Sequence, residues 1–229
     1  MSSLDVRAFT VGPVQENSYI VRASGDADHA VIVDPGDEAE RLLKAADDLG
    51  VKLDAILLTH CHFDHIGAVA PVARATGAPV YCPEIERPVL TDIMSWVPPG
   101  FGPFESYDPE HTLAGGERLQ LAGIDFEVIH TPGHSPGHLT YAFSGGLLSG
   151  DVLFQGSVGR VDLPGGDWAT LEGSIEGLVQ GFPGETVVYP GHMGVTSLGR
   201  ELDTNPFLSE LRARVPRISS ASDVAAAGS

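Results

Sequence analysis

Lysine is almost missing from this chain: Lys44 and Lys52 are the only two in 229 residues, and 13 basic side chains face 31 acidic ones for a formal net charge of −18. A surface of that sign repels phosphate backbones and anionic membrane faces, so neither nucleic acid nor membrane is an expected partner. The charge reads instead as a solvated exterior. Two cysteines, Cys61 and Cys82, are too few for a disulfide framework. The opening Met1-Ser2-Ser3-Leu4-Asp5 lacks the basic and apolar regions of a signal peptide, and no apolar run approaches a membrane span. These absences point to a cytoplasmic protein. No linker or charge block divides residues 1–217, which are expected to form one domain around the 42% of the chain that is hydrophobic. Residues 218–229, rich in Ser and Ala, are expected to fray.

The pattern of apolar positions describes an α/β chain. Residues 4–11, 17–23 and 29–33 read as three antiparallel strands, because the connections between them are too short for crossovers. A helix is expected over residues 38–49, where Ala39, Leu42, Leu43 and Ala46 recur at helical spacing. A buried run at 55–58 follows, and Ile66, Val69, Val72 and Ala73 mark one face of the next helix, with Asp64 near its start. Further strands are expected at 118–121, 124–129, 139–143, 146–149 and 186–189, with a helix over 168–179. Two strand-rich halves with helices between and after them suit two facing sheets covered by outer helices.

Against this background one segment stands apart. Thr59-His60-Cys61-His62-Phe63-Asp64-His65 packs three imidazoles and a carboxylate directly behind the run Ala55-Ile56-Leu57-Leu58. Alternation lets His60 and His62 point to one side and share a metal, while Asp64 and His65, where the chain turns, face a neighbouring position. Cys61 then points the other way and is expected to pack in the core. Three more donors follow strand-like runs and a Gly or Pro breaker: His134 in Thr131-Pro132-Gly133-His134, Asp151 after Gly150, and His192 after Pro190-Gly191. Loops at strand ends are where layered α/β folds collect active sites. The inventory is His60, His62 and His134 for one metal, Asp64, His65 and His192 for the other, and Asp151 between them. An all-nitrogen-and-oxygen set suits two divalent ions; zinc leads, and manganese or iron(II) would also be accepted.

These same motifs make the chain resemble the metallo-β-lactamase-fold hydrolases, and the ligand assignment agrees with that family's pattern. Within the family it is most similar to the small glyoxalase II-like branch, through Asp34-Pro35-Gly36, the run from Gly156 to Asp167, and Asn205-Pro206-Phe207. The resemblance spans residues 5 to 210 or so and implies an αββα four-layer sandwich. It also implies thioester hydrolysis on a hydroxyacyl-thiol. Full-length glyoxalase II carries a further helical extension with basic groups for glutathione; here only Arg212, Arg214 and Arg217 remain after Phe207, so another thiol carrier is equally compatible.

Two divalent ions about 3.5–4 Å apart can acidify a bridging water and make hydroxide available without a protein base. Asp64 and Asp151 would constrain that hydroxide and its proton, which makes them the expected catalytic pair. An ester or thioester suits the arrangement, because a thiolate departs without a strong general acid. Asp34, Thr59 and His138 are candidates to orient the ligands, and Asp34 reads equally well as a plain turn aspartate before Pro35-Gly36. Arg160 would either meet a substrate carboxylate or pair with Asp162, the brace being favoured. Residues 96–107, with four aromatics among breakers, read as a lid or as a loop tucked on the core. His29, His111 and His130 are expected outside the site. Two other readings remain: a persulfide dioxygenase working with one iron, and a metal-binding module without catalysis. β-Lactam and nucleic-acid hydrolysis are less favoured.

Overall fold

The computed structural model describes residues 4–215, so the expected tail at 218–229 and Arg217 lie outside the described residues. The elements run β1 (Asp5–Val11), β2 (Glu16–Arg22), β3 (His29–Val33), α1 (Ala39–Asp48), β4 (Lys52–Leu57), α2 (Phe63–Ile66), α3 (Val69–Thr76), β5 (Val80–Pro83), α4 (Arg87–Thr91) and β6 (His111–Leu113) in the first half. The second half holds β7 (Arg118–Leu121), β8 (Ile124–His130), β9 (Leu139–Phe143), β10 (Gly146–Gly150), the small pair β11 (Leu153–Phe154) and β12 (Ser157–Val158), α5 (Trp168–Gly181), β13 (Val187–Pro190), β14 (Thr196–Ser197), α6 (Leu198–Thr204) and α7 (Ser209–Arg214). Two six-stranded sheets result, ordered β1-β2-β3-β4-β5-β6 and β14-β13-β10-β9-β8-β7. As expected, β1, β2 and β3 are antiparallel; β3 to β6 then run parallel, as do β10 and β13.

Strand alternation explains the layers. Val31 and Val33 of β3 and Ala55 and Leu57 of β4 face the core between the sheets, with Phe126, Leu139, Tyr141 and Leu148 from the second sheet opposite. Ala30, Ile32 and Ile56 point outward, where Leu42 of α1 and Val69 and Val72 of α3 cover them. On the far side Leu147 and Val188 meet Leu171, Ile175 and Leu178 of α5 and Leu198 and Leu202 of α6. Three apolar layers separate four structural ones, so the αββα sandwich is the fold. Among the described residues no helix is long and apolar enough to cross a membrane.

The chain differs from its sequence reading in several places. The helix expected through Ile66 to Ala73 is two, broken at Gly67 and Ala68, where a Cβ on residue 67 would stand 2.4 Å from the Gly36 carbonyl oxygen and 2.7 Å from the Phe104 ring. α4, α6, α7, β11, β12 and β14 were not anticipated, and neither were β5 and β6. The last two are four and three residues long, too short to show a period, and extend the first sheet by parallel pairing alone. Arg212 and Arg214 are spent on structure: Arg212 donates to the Leu202 and Asn205 carbonyls, and Arg214 pairs with Glu172 at 3.0 Å.

Candidate metal centre

Every proposed donor sits just beyond the C-terminal end of a strand, and all of those ends lie on one rim. The loop after β4 carries His60 and His62, and the first turn of α2 carries Asp64 and His65. His134 lies in the loop between β8 and β9, Asp151 directly after β10, and His192 after β13. Bonds between the sheets lock this rim: Leu139 N–H donates to the Thr59 carbonyl at 2.7 Å, and the Tyr19 hydroxyl donates to the Pro190 carbonyl at 2.7 Å. Gly150 permits a close approach to Thr59 and His138. Its φ is +46°, and a Cβ there would stand 2.4 Å from Thr59 Oγ and 2.7 Å from His138 Nε2.

His60 Nε2, His62 Nδ1 and His134 Nε2 converge, with separations of 3.1, 2.8 and 3.2 Å. The far nitrogens of two of these rings are already engaged. His60 Nδ1 donates to Thr59 Oγ at 3.1 Å and His134 Nδ1 to the Arg160 carbonyl at 2.7 Å, so both Nε2 atoms present lone pairs to each other. Facing lone pairs repel unless a cation sits between them. Nitrogens on a tetrahedral ion at about 2.0–2.1 Å would be roughly 3.3 Å apart, close to what is seen.

The second group is Asp64, His65 and His192, whose ligand atoms lie within 4.8 Å of one another. His192 Nε2 is 3.3 Å and His65 Nε2 3.8 Å from Asp64 Oδ2. Again the far nitrogens are held, His65 Nδ1 donating to Asp34 Oδ2 at 3.0 Å and His192 Nδ1 to the Gln15 carbonyl at 3.2 Å. Asp151 spans the two groups: Oδ1 is 3.4 Å from His65 Nε2, and Oδ2 is 3.4 Å from His134 Nε2 and 3.6 Å from His192 Nε2. His65 Nε2 and Asp151 Oδ1 are both buried and have no hydrogen-bond partner among the described residues. A buried carboxylate oxygen and imidazole nitrogen are costly to leave so, and a metal ion held between them would satisfy both.

The electrostatics divide the cluster. Burial, helped by neighbouring imidazoles, holds His60 well below the ordinary histidine range and His62 down to about 4, which keeps their lone pairs free. His65 is pushed well above that range, because Asp151 and Asp64 outweigh its burial. Asp151 is lowered, the attraction of His65 overcoming its burial. Groups that favour a proton on His65 favour a cation in its place. His60, His65, His134 and Asp151 are buried, whereas His62, Asp64 and His192 are part-exposed and form the mouth.

Of the supporting candidates, Asp34 is the hub. Its two oxygens accept from Thr59 N–H at 2.7 Å, from the Thr59 hydroxyl at 2.5 Å and from His65 Nδ1. The plain-turn reading of Asp34 therefore does not describe it, although its φ of +47° does belong to a turn. Asp34, His60 and His65 also come within reach of one another, but there His65 Nδ1 bonds Asp34 and His60 Nδ1 bonds Thr59, through the rings' far edges. His138 is buried, accepts the Asp151 N–H on Nε2 at 3.0 Å and stacks on His60. Arg160 forms the expected pair with Asp162, at 2.6 and 2.7 Å, in solvent. Its contribution to the donors is its carbonyl, not its guanidinium.

The segment 96–107 combines both readings given to it. Val97, Phe104 and Tyr107 pack against the helix-side core, while Phe101 and Phe104 lie 4.7 and 6.3 Å from Phe63 of the metal motif. Cys61 faces the core as expected, with its sulfur 3.5 Å from that of Cys82. His29 and His130 bond to Asp54 and to the Pro136 carbonyl, and His111 stacks on Tyr81. Sequence reasoning missed Gln15, whose role is a backbone carbonyl, and two buried carboxylates. Glu16 lies 3.8 Å from His65 Nδ1 with both oxygens unpartnered among the described residues, and burial pushes its carboxyl well up. Glu86 joins two ligand loops.

Comparison with known proteins agrees with this geometry. A family model for the metallo-beta-lactamase superfamily matches residues 11–192. The hydroxyacylglutathione hydrolase GloC of Haemophilus influenzae is 33% identical over 211 residues, which cover 90% of this chain and 99% of that protein. Among solved structures, the BLEG-1 B3 metallo-beta-lactamase is 40% identical with a TM-score of 0.84, over 90% of this chain and 100% of that one. TTHA1623 in a di-iron-bound form is 43% identical with a TM-score of 0.74, over 89% of this chain and 100% of that one.

Proposed function

The chain belongs to the metallo-beta-lactamase superfamily, and from that membership we propose that it is a dinuclear metal-dependent hydrolase of S-acyl thioesters, with a hydroxyacyl-thiol as substrate. The observation that carries the reading is Asp151, whose carboxylate reaches both donor groups, with Oδ1 3.4 Å from His65 Nε2 and Oδ2 3.4 Å from His134 Nε2. His60, His62 and His134 would hold one ion, and Asp64, His65 and His192 the other. When bound, such ions supply Lewis-acid polarisation of a carbonyl and an acidified water.

The protein's own part is to orient and to exclude. Thr59, Asp34, the Arg160 carbonyl and the Gln15 carbonyl each take the proton on the far side of a ring, so four of the five donor imidazoles present a fixed lone pair. His138 holds the Asp151 backbone in place. Asp64, at the mouth, would with Asp151 orient the acidified water and its proton. Because His62, Asp64 and His192 at the mouth are all committed as donors, the leaving group must depart without a dedicated acid, and a thiolate does so. The similarity to the GloC hydrolase supports the same class.

Zinc is the leading metal, with iron and manganese compatible; similarity to a di-iron-bound structure gives iron specific support. The substrate is a small molecule, and the acidic surface argues against nucleic acid. The test is metal analysis of protein purified with and without air, followed by a panel of S-acyl thioesters, β-lactams and glutathione persulfide. Two ions per chain with thioester turnover is the expected result. β-Lactam turnover alone would favour the likeness to BLEG-1, and one iron with oxygen uptake on the persulfide would replace the proposal.

A further inference from the structure

Glu86 lies in the single turn Glu84–Glu86 between β5 and α4, far in sequence from every donor, and is 5% exposed. Its Oε2 accepts the Cys61 N–H at 2.5 Å. Its Oε1 accepts the Gly137 N–H at 2.9 Å and also the Ser135 hydroxyl. Cys61 is the residue between His60 and His62, and Ser135 is the residue after His134. One carboxylate is thus bonded to both backbone segments that carry the three nitrogens of the first donor group.

A carboxylate suits this place because it only accepts, and three donors converge on it. A buried charge persists only where such bonds replace its water. The two loops belong to different sheets, and β4 and β8 are not neighbours within either one. Nothing in the sheet ladders therefore sets the distance between His62 and His134, which is 2.8 Å between ring nitrogens.

We infer that Glu86 is a positioning residue of the metal centre, holding the His60 to His62 loop and the His134 loop at the separation that the first ion requires. This rests on the cluster being a metal site and is independent of the thioester substrate. Loss of an orienting group behind metal ligands typically costs about 10- to 100-fold in affinity. That loss should fall mainly on the first group, since among the described residues Glu86 bonds neither the α2 turn that carries Asp64 and His65 nor the loop that carries His192.

The test is zinc titration of the full-length, chelator-stripped protein against a chromophoric competitor, with cobalt(II) absorption reporting each site. Glu86→Gln keeps the shape but turns an amide NH2 toward a donor. It should weaken one ion about 10- to 100-fold, leave the other within about threefold, and match the residual cobalt spectrum of His134→Ala. Glu86→Asp, which keeps the charge but shortens the reach, should not restore the lost affinity. Should Glu86→Gln fail to fold, Ser135→Ala removes a single bond and should show a smaller loss at the same site. Wild-type affinity at both sites, or equal weakening of both with a lowered melting temperature, would overturn the inference. A wild-type protein that takes up no ion would overturn the metal reading as well, so the two failures are distinct.

Discussion

Asp34 accepts a hydrogen bond from His65 Nδ1 at 3.0 Å, so an aspartate at the end of β3 decides which nitrogen of His65 faces the donor cluster. Replacing it with alanine strands that N–H together with the Thr59 amide and hydroxyl, all buried. Asp34→Ala should lose about 1–3 kcal/mol of stability for the unpaired donors. It should also bind metal at the second group about 10- to 100-fold more weakly. Chemical denaturation of the metal-free protein and competitive zinc titration measure the two effects separately.

The two donor groups should release their ions at different pH. Burial first, then the neighbouring imidazoles, hold His62 down to about 4, and His60 moves the same way. His65 and His192 move upward, because nearby carboxylates outweigh their burial. A lowered histidine keeps its lone pair further into acid, whereas a raised one gives it to a proton earlier. Acidification from roughly pH 8 to pH 5 should therefore free the ion of Asp64, His65 and His192 first. Metal analysis after stepwise dialysis reads the order, and loss from His60, His62 and His134 first would contradict it.

Asp151→Asn should damage both metal occupancy and turnover. The amide retains the size of the side chain but sets a neutral NH2 against one of two imidazoles, His65 or His134, each 3.4 Å away. Thioester turnover should fall by at least about 100-fold, and the ion content of the purified protein should drop below the wild-type value. Elemental analysis alongside steady-state kinetics checks both.

Two glycine-to-alanine changes should have opposite effects. At Gly159 a Cβ would lie 1.8 Å from the Asp151 carbonyl oxygen and 3.2 Å from His134 Nδ1, so the loop cannot keep its place. Gly159→Ala should destabilise by about 1–3 kcal/mol and lower metal affinity. Gly173, inside α5 with open space around its Cβ position, should tolerate alanine and gain about 0.5–1 kcal/mol. Thermal melts of the metal-free proteins compare them.

The residues that converge at the rim were legible as candidate donors because coordination demands particular atoms, and here most follow a short apolar run that announces a strand end. The segment from Thr59 to His65 and the Thr131-Pro132-Gly133-His134 loop needed only that logic. The layers were legible from alternation, as at Ala30 to Val33, where successive residues feed opposite cores. What stayed hidden depends on through-space neighbours. Arg160 and Gln15 act through carbonyls that every residue possesses, so no side-chain pattern could mark them. Glu86 sits in an unremarkable acidic stretch, and only the meeting of Cys61 with Ser135 gives it meaning. β5 and β6 are strands because a parallel neighbour completes their bonds, which a local window does not see.

The first sheet side contributes His60, His62, Asp64 and His65 to the cluster, and the second contributes His134, Asp151 and His192. On a ribosome the early segment emerges with only part of each donor group, and His192 must clear the exit tunnel before the last imidazole can join. Capture of the second cation is therefore a late event in the life of each newly made molecule, and a nascent chain stalled short of that point would have no complete donor set to retain that ion.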